Sequence, residues 1–247
     1  MKVALFIPCF IDAFYPEVGI ATLELLERFG CEVDYPQEQT CCGQPIANSG
    51  AQSEAAGAER VFVRAFAGHD YIVAPSASCI NHVRNNLTAI EQTEDVKQVR
   101  RNAFDLVEFL HDVLGAREFP WAEFPYRVGL HNSCSALRHL HEASVSEIAS
   151  TPFSKSLELL KRVKGIEFVA PKRPDECCGF GGTFAVAEEA VSVRMGHDKV
   201  LDHVGAGAQY IVSGDMSCLM HQGGCAARMK ADVRFIHIAQ VLNGARK

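Results

Sequence analysis

One order of landmarks occurs twice along this chain. A short apolar run ends in a lone cysteine, Cys9; a Cys-Cys-Gly triplet follows at Cys41, Cys42 and Gly43; another apolar run leads to Cys79. The second half repeats this as Cys134, Cys177-Cys178-Gly179 and Cys218. Eight of the ten cysteines fall into these two sets of four. Such a chain is expected to fold as two similar halves, each gathering cysteines from three separate segments.

The flanking residues support duplication. Lys2-Val-Ala-Leu-Phe-Ile-Pro-Cys9 aligns without a gap on Arg127-Val-Gly-Leu-His-Asn-Ser-Cys134. Tyr71-Ile-Val-Ala-Pro-Ser-Ala-Ser-Cys79 aligns on Tyr210-Ile-Val-Ser-Gly-Asp-Met-Ser-Cys218, sharing Tyr-Ile-Val and Ser-Cys in register. The distance between matched landmarks widens along the chain, which places insertions in the connections of the second copy.

Between the cysteines, strand and helix patterns alternate. Apolar runs predict strands at 3–7, 32–35, 71–74, 128–131, 166–170 and 210–213. Helical spacing predicts helices over 18–29, closed by Gly30, and over 49–67, 106–114, 153–163, 184–204 and 236–242. Alternation of this kind predicts an α/β protein of two duplicated Rossmann-like halves with mostly parallel sheets, related by pseudo-two-fold symmetry. The halves are expected at 1–119 and 126–247. The segment Arg117-Glu-Phe-Pro-Trp-Ala-Glu-Phe-Pro125 joins them, apolar enough to be a packed connection.

Composition narrows the function. With 48% hydrophobic and 22% charged residues, the 247-residue chain is able to bury a substantial core. A formal net charge of −6 gives no electrostatic support for nucleic-acid binding. No apolar stretch is long enough for a transmembrane segment. The run from Val3 to Ile11 carries Pro8 and leads into Asp12 with no cleavage pattern, so it reads as a buried strand rather than a secretion signal. Ten cysteines without such a signal point to a reducing, cytoplasmic setting in which thiols serve metals or redox chemistry.

The candidate site residues are Cys9, Cys41, Cys42 and Cys79 in the first half, and Cys134, Cys177, Cys178 and Cys218 in the second. Each set offers four soft thiolates, the ligand set of an iron–sulfur cluster. In open α/β sheets ligands bind beyond the carboxyl ends of strands, where these cysteines are expected. Gly43 and Gly179 allow tight turns and close backbone approach, and Pro45 and Pro174 stiffen the loops. Zinc also takes four thiolates, but structural zinc sites use C-x₂₋₄-C hooks, absent here. A zinc-stabilised scaffold is therefore the remoter alternative, and inert buried cysteines do not account for the repeated order.

Other residues carry weaker signals. Cys31 and Cys225 have no counterpart in the other half and read as buried thiols, with a conditional ligand role open for Cys225. His131, His139, His141 and His221 lie near the cysteines and read as polar residues flanking loops and helices. Gly179-Phe-Gly-Gly182 lacks the spacing of a phosphate-binding loop and reads as room for the cysteine loop. Ser76 and Ser78 lack a nucleophile elbow. Glu188 and Glu189 read as a solvated helix face.

With these motifs placed, the chain resembles the CCG-domain family of cysteine-rich iron–sulfur proteins. The resemblance rests on Cys41-Cys-Gly-Gln-Pro-Ile-Ala-Asn-Ser-Gly50, Pro75-Ser-Ala-Ser-Cys79, Cys177-Cys-Gly-Phe-Gly-Gly-Thr-Phe184 and Asp215-Met-Ser-Cys-Leu-Met220, and covers nearly the whole chain. The family includes heterodisulfide reductase subunits, glycolate oxidase iron–sulfur subunits and a lactate utilization group, which the motifs match best. The resemblance implies an electron-transfer oxidoreductase subunit in a complex oxidising L-lactate to pyruvate. It implies one iron–sulfur cluster per half, of [4Fe–4S] type, a ferredoxin-type iron–sulfur partner and a third subunit. The alternatives it leaves open are a thiol–disulfide reductase subunit of the heterodisulfide type and a glycolate oxidase subunit. The full family motif ends in C-x-x-C, and the first cysteine of that pair is Ser76 in one half and Asp215 in the other. Four cysteines per half suit a four-cysteine centre better than disulfide reduction, with Ser76 or Asp215 as candidate oxygen ligands.

Overall fold

The computed structural model describes residues 1–149 and 151–245. Its contacts divide the chain into two units, Met1–Leu114 and Gly115–Lys247, each built on one four-stranded sheet. The first sheet comprises β1 (Lys2–Leu5), β2 (Glu32–Asp34), β3 (Ile72–Ala74) and β4 (Ala103–Asp105), in the order β2-β1-β3-β4. The second comprises β5 (Arg127–Leu130), β6 (Glu167–Val169), β7 (Tyr210–Ser213) and β8 (Arg234–His237), in the order β6-β5-β7-β8. Every strand pair is parallel, so the two units share class and topology.

The duplication extends to register. Lys2 stands opposite Glu32 at the start of the β1–β2 ladder, and Arg127 stands opposite Glu167 at the start of β5–β6. A parallel sheet covered on both faces demands continuous apolar strands. Val3, Ala4 and Leu5 of β1 are buried, as are all three residues of β3; Val128, Ile211 and Val212 serve the same purpose in the second unit.

The helices follow from their sequences. Pro16 opens the helix Pro16–Arg28 at a position where its missing N–H costs nothing. Val18, Ala21, Leu25 and Leu26 bury one face of it, and Gly30 turns the chain out with a φ of 76°. The helix Ala56–Phe66 presents Phe62, Val63 and Phe66 to the core. Phe62 and Phe66 close on Phe6 with ring centroids 4.9 and 5.7 Å away.

Several expectations are corrected. The helix expected over 49–67 is a 3₁₀ turn, Gln52–Ala55, followed by Ala56–Phe66. The helix expected over 184–204 is two, Phe184–Ala187 and Glu189–Gly205, which break at Glu188, so Glu188 and Glu189 lie at the junction. The segment expected as helix from 236 begins as strand, because Ile236 and His237 pair with Val212 and Ser213; the helix is Ile238–Leu242. The edge strands β4 and β8 and the helices Glu94–Asn102 and Met216–Met229 have no counterpart in the sequence reading. The segment between the expected halves packs into the second unit. There Trp121 Nε1 donates to the Leu242 carbonyl at 2.9 Å, and the Phe124 ring lies 4.9 Å from those of Tyr126 and Tyr210. Residues 150, 246 and 247 of the expected second half lie outside the described residues.

Candidate metal centres

All eight cysteines of the two sets lie beyond the carboxyl ends of the strands, in the manner expected of a ligand site on an open α/β sheet. Cys9 opens the helix Cys9–Phe14 after β1, and Cys134 opens Cys134–Arg138 after β5. Cys79 lies in Ala77–Asn81 after β3, and Cys218 in the first turn of Met216–Met229 after β7. The Cys-Cys pairs sit in the loops that follow β2 and β6.

Within each unit the four sulfurs are neighbours. The Cys41 sulfur accepts hydrogen bonds from Cys42 and Cys9, and Cys42 is also in hydrogen-bond contact with Cys79. In the second unit Cys177 accepts from Cys134 and Cys178, and Cys178 contacts Cys218. The consequence is one acidic sulfur per quartet. Cys41 is drawn well below the usual thiol range by Cys42 and Cys9, helped by the Gly43 N–H at 3.5 Å and the nearby His82. Cys177 is drawn down in the same way by Cys134 and Cys178, with the Gly179 N–H at 3.3 Å and His131 assisting. Cys9 and Cys134 are pushed up as the donors, and Cys42 and Cys178 rise through their sulfur neighbours and through burial.

Four sulfurs so close cannot all carry charge without a compensating cation. A metal supplies that compensation, and thiolates are the donors that soft metals and iron–sulfur clusters take. The donor set therefore fits a metal or iron–sulfur group. Each quartet also grades from surface to interior. Cys9 is exposed and Cys41 half-buried, whereas Cys42 and Cys79 are buried; Cys134 and Cys177 are half-buried, whereas Cys178 and Cys218 are buried. All ten cysteines are free thiols.

The loops that carry the pairs are held differently in the two units. Gln39 ties the first to the end of β1, accepting from the Ile7 N–H at 2.8 Å and donating to the Leu5 carbonyl at 3.1 Å. In the second, fully buried Lys199 donates to the carbonyls of Arg173 and Pro174 at 2.6 and 3.1 Å, and the Asp202 carboxylate accepts from the N–H groups of Lys172 and Arg173. Both triplets need their glycine. Gly43 has φ 96° and Gly179 φ 90°, and a Cβ on Gly179 would come within 2.6 Å of the Ser192 carbonyl oxygen.

Ser76 and Asp215, three residues before Cys79 and Cys218, are fully buried. Ser76 caps the helix that bears Cys79, accepting from the Cys79 N–H at 3.4 Å. Cys31 and Cys225 stand apart from both quartets. Burial pushes both thiols up. Cys225 packs against Val200 and Ala226 and lines a cavity of about 280 Å³ with Phe180, Ser192, His221 and Arg228.

His131 departs most from its sequence reading. It is 1% exposed, and its ligand nitrogen lies within 4.8 Å of both the Cys178 and the Cys218 sulfur. Neither ring nitrogen has a hydrogen-bond partner. Burial, with Lys199 and His203 nearby, holds its pKa well below the ordinary histidine value, so the ring is neutral. The signal that finds it is its alignment with Phe6 in the gapless match of the two halves: an imidazole stands where a buried aromatic stands.

Fold and site together define a duplicated α/β protein that carries a cysteine quartet at the carboxyl edge of each parallel sheet. The cysteine-rich CCG domain profile matches residues 3–84 and 128–222, one match per copy. Proteins called lactate utilization protein A are similar along the whole length. That of Geobacillus thermodenitrificans is 41% identical over 98% of this chain and 99% of its own, and that of Oceanobacillus iheyensis 38% identical over 100% of this chain and 98% of its own. The chain belongs to the CCG cysteine-rich domain family, in the group formed with these relatives. Among solved structures, a putative Asp/Glu racemase from Yersinia pestis covers 98% of this chain and 96% of its own at 11% identity and a TM-score of 0.39, too low to bear on fold or function.

Proposed function

We propose that the chain is an iron–sulfur electron-transfer component of lactate utilization, with one four-cysteine [4Fe–4S] centre in each unit. The observation that carries this reading is the convergence, twice over, of four cysteine sulfurs from three segments onto one sheet edge. Such a group, when bound, supplies reversible one-electron redox chemistry. Cys9, Cys41, Cys42 and Cys79 would hold one centre, and Cys134, Cys177, Cys178 and Cys218 the other. The Gly43 and Gly179 N–H groups already point at sulfur and would keep donating to it. Cys42, Cys79, Cys178 and Cys218 are the buried members of each quartet, while Cys9, Cys134 and the first cysteine of each pair are the more exposed ones, the side that this reading leaves to a partner.

The role in lactate utilization rests on the relatives' names and on their full-length similarity. In this reading electrons from the oxidation of L-lactate to pyruvate pass through the two centres to or from a ferredoxin-type iron–sulfur subunit and a third subunit of one complex. Cytoplasmic residence accords with ten free thiols and with the finding that, among the described residues, no helix is long and apolar enough to cross a membrane.

Anaerobic purification with iron and sulfide counting tests this directly. About eight irons and eight sulfides per chain are expected from two four-iron clusters. Cys42→Ser and Cys178→Ser should each lose roughly half of both, together with electron transfer. Full retention of iron and sulfide in both variants would overturn the assignment, and a colourless zinc-loaded protein would replace it with a scaffold.

A further inference from the structure

The duplication makes the two units alike in their cysteines but not in what lies behind them. In the first unit Phe6, one residue past β1, packs against Phe62 and Phe66, four residues apart on the helix Ala56–Phe66. In the second unit the matching residue past β5 is His131, and its neighbours are Lys199 and His203, four residues apart on the helix Glu189–Gly205. A wholly aromatic cluster in one copy is thus a wholly basic one in the other. All six side chains are buried. Gly129 is part of this exchange, since any Cβ there would overlap the His203 ring.

A buried imidazole with no partner at either nitrogen is costly unless something near it accepts or donates. Neutral imidazole carries one N–H, and the acceptors its ligand nitrogen approaches are the sulfurs of Cys178 and Cys218. Lys199 is not that acceptor, being a donor already engaged by two carbonyls, and His203, whose two ring nitrogens are likewise unpartnered, makes no hydrogen bond to His131. A different histidine lies near the quartet in both units, three residues past the last cysteine: His82, whose buried Nε2 is also unpartnered and which lies near Cys41, and its counterpart His221, whose Nε2 sits 3.2 Å from the Ser192 carbonyl. His131 is the histidine that the second unit has in addition.

We propose that His131 donates its N–H to a cysteine sulfur of the second unit's centre, which raises that centre's reduction potential and makes the two centres of the duplicated protein unequal. This inference rests on the iron–sulfur reading above. Reduction adds negative charge to the cluster and its thiolates, and an N–H···S bond stabilises the reduced form more than the oxidised one. Phe6 offers the first centre no donor at this position, and His82 of the first unit is matched by His221 in the second, so the donor that His131 adds has no counterpart. An unequal pair holds its electron preferentially at the second unit's centre, which two identical copies would not do. His131 acts here as a tuning residue and not as a ligand.

The test is a potentiometric titration of the full chain, purified anaerobically and followed by electron paramagnetic resonance, with Cys178→Ser identifying the second unit's signal. His131→Phe installs the first unit's residue and should lower the second centre's potential by about tenfold in its reduction equilibrium, or about 59 mV for a one-electron couple. The first centre should not move. His131→Gln keeps an N–H donor and should hold the potential closer to wild type, and His131→Leu serves if the phenylalanine variant fails to load. Potentials unchanged in both apolar variants, or shifted equally in both centres, would overturn the proposal. So would a nitrogen hyperfine coupling of the size produced by imidazole bound directly to iron. Absence of iron and sulfide from the wild-type protein would instead sink the iron–sulfur reading, and this inference with it.

Discussion

At the scale of single residues the two Cys-Cys-Gly triplets look interchangeable, yet their glycines face different surroundings. Both adopt positive φ, which an L side chain adopts only at a cost. Around Gly43 the nearest atoms to an added Cβ are 3.5 Å away, ordinary contact distance. Around Gly179 the Ser192 carbonyl oxygen and the Met195 Cβ stand at 2.6 and 2.7 Å, and Ser192 Oγ also donates to the Gly179 carbonyl at 2.8 Å. Gly43→Ala is therefore expected to cost roughly 1–2 kcal/mol from backbone strain alone. Gly179→Ala adds overpacking and should cost roughly 2–4 kcal/mol. Urea denaturation of the two variants checks the order; a larger loss in Gly43→Ala would contradict it. Iron content should follow the same ranking, because the displaced residues bear the cysteines.

At the scale of elements, the cysteines are placed by how short helices are fastened to the sheet. Cys79 sits on a helix that continues as the π-helical turn His82–Asn86, and Arg84 in that turn anchors it. Its guanidinium donates to the Ala103 carbonyl of β4 at 2.6 Å and to both Glu108 carboxylate oxygens at 3.1 and 2.7 Å. The pair is only 21% and 14% exposed, so solvent screens it weakly. This planar fork is a geometry that lysine cannot reproduce. Arg84→Lys is expected to destabilise the first unit by roughly 1–3 kcal/mol through the lost hydrogen bonds. Hydrogen exchange should show faster opening at Ala77–Asn81 and β4, with the second unit unaffected. Unchanged protection of those amides would refute the anchoring role. The matching helix in the second unit, Met216–Met229, is long enough to pack by its own buried face and shows no such clamp among the described residues.

At the scale of the whole molecule, the buried basic cluster of the second unit links stability to pH. Burial, reinforced by Lys199, lowers the His203 pKa from 6.5 to about 4. The unfolded chain therefore binds more protons than the native one between these values, and stability rises with pH across that window. The contribution of His203 is fully present above pH 6.5 and is lost as the pH falls toward 4, for a total of roughly 3 kcal/mol. Denaturation midpoints measured between pH 7 and pH 5 should fall with decreasing pH. His203→Phe, the residue found at Phe66 in the first unit, should flatten the slope. An unaltered slope in that variant would remove His203 from the account.

Sequence alone determined the duplication, the parallel α/β class and the two cysteine quartets, because each is written in local patterns. Apolar runs closed by cysteine, as in Val3 to Cys9 and Val128 to Cys134, specify buried strands and the thiols at their ends without reference to distant residues. The edge strands β4 and β8 carry no such pattern. Ala103-Phe-Asp105 and Arg234-Phe-Ile-His237 are short and mixed, and they become strands only because β3 and β7 offer unpaired backbone beside them. The break at Glu188 and the merging of the connecting segment into the second unit are likewise products of packing. So is the setting of His131. Its identity was plain in the alignment with Phe6, but its burial against Cys178 and Cys218 depends on Lys199 and His203 arriving from a helix far along the chain. Local patterning sets which segments become strands and where thiols stand on them; only the folded chain decides which polar groups are buried beside the sulfurs.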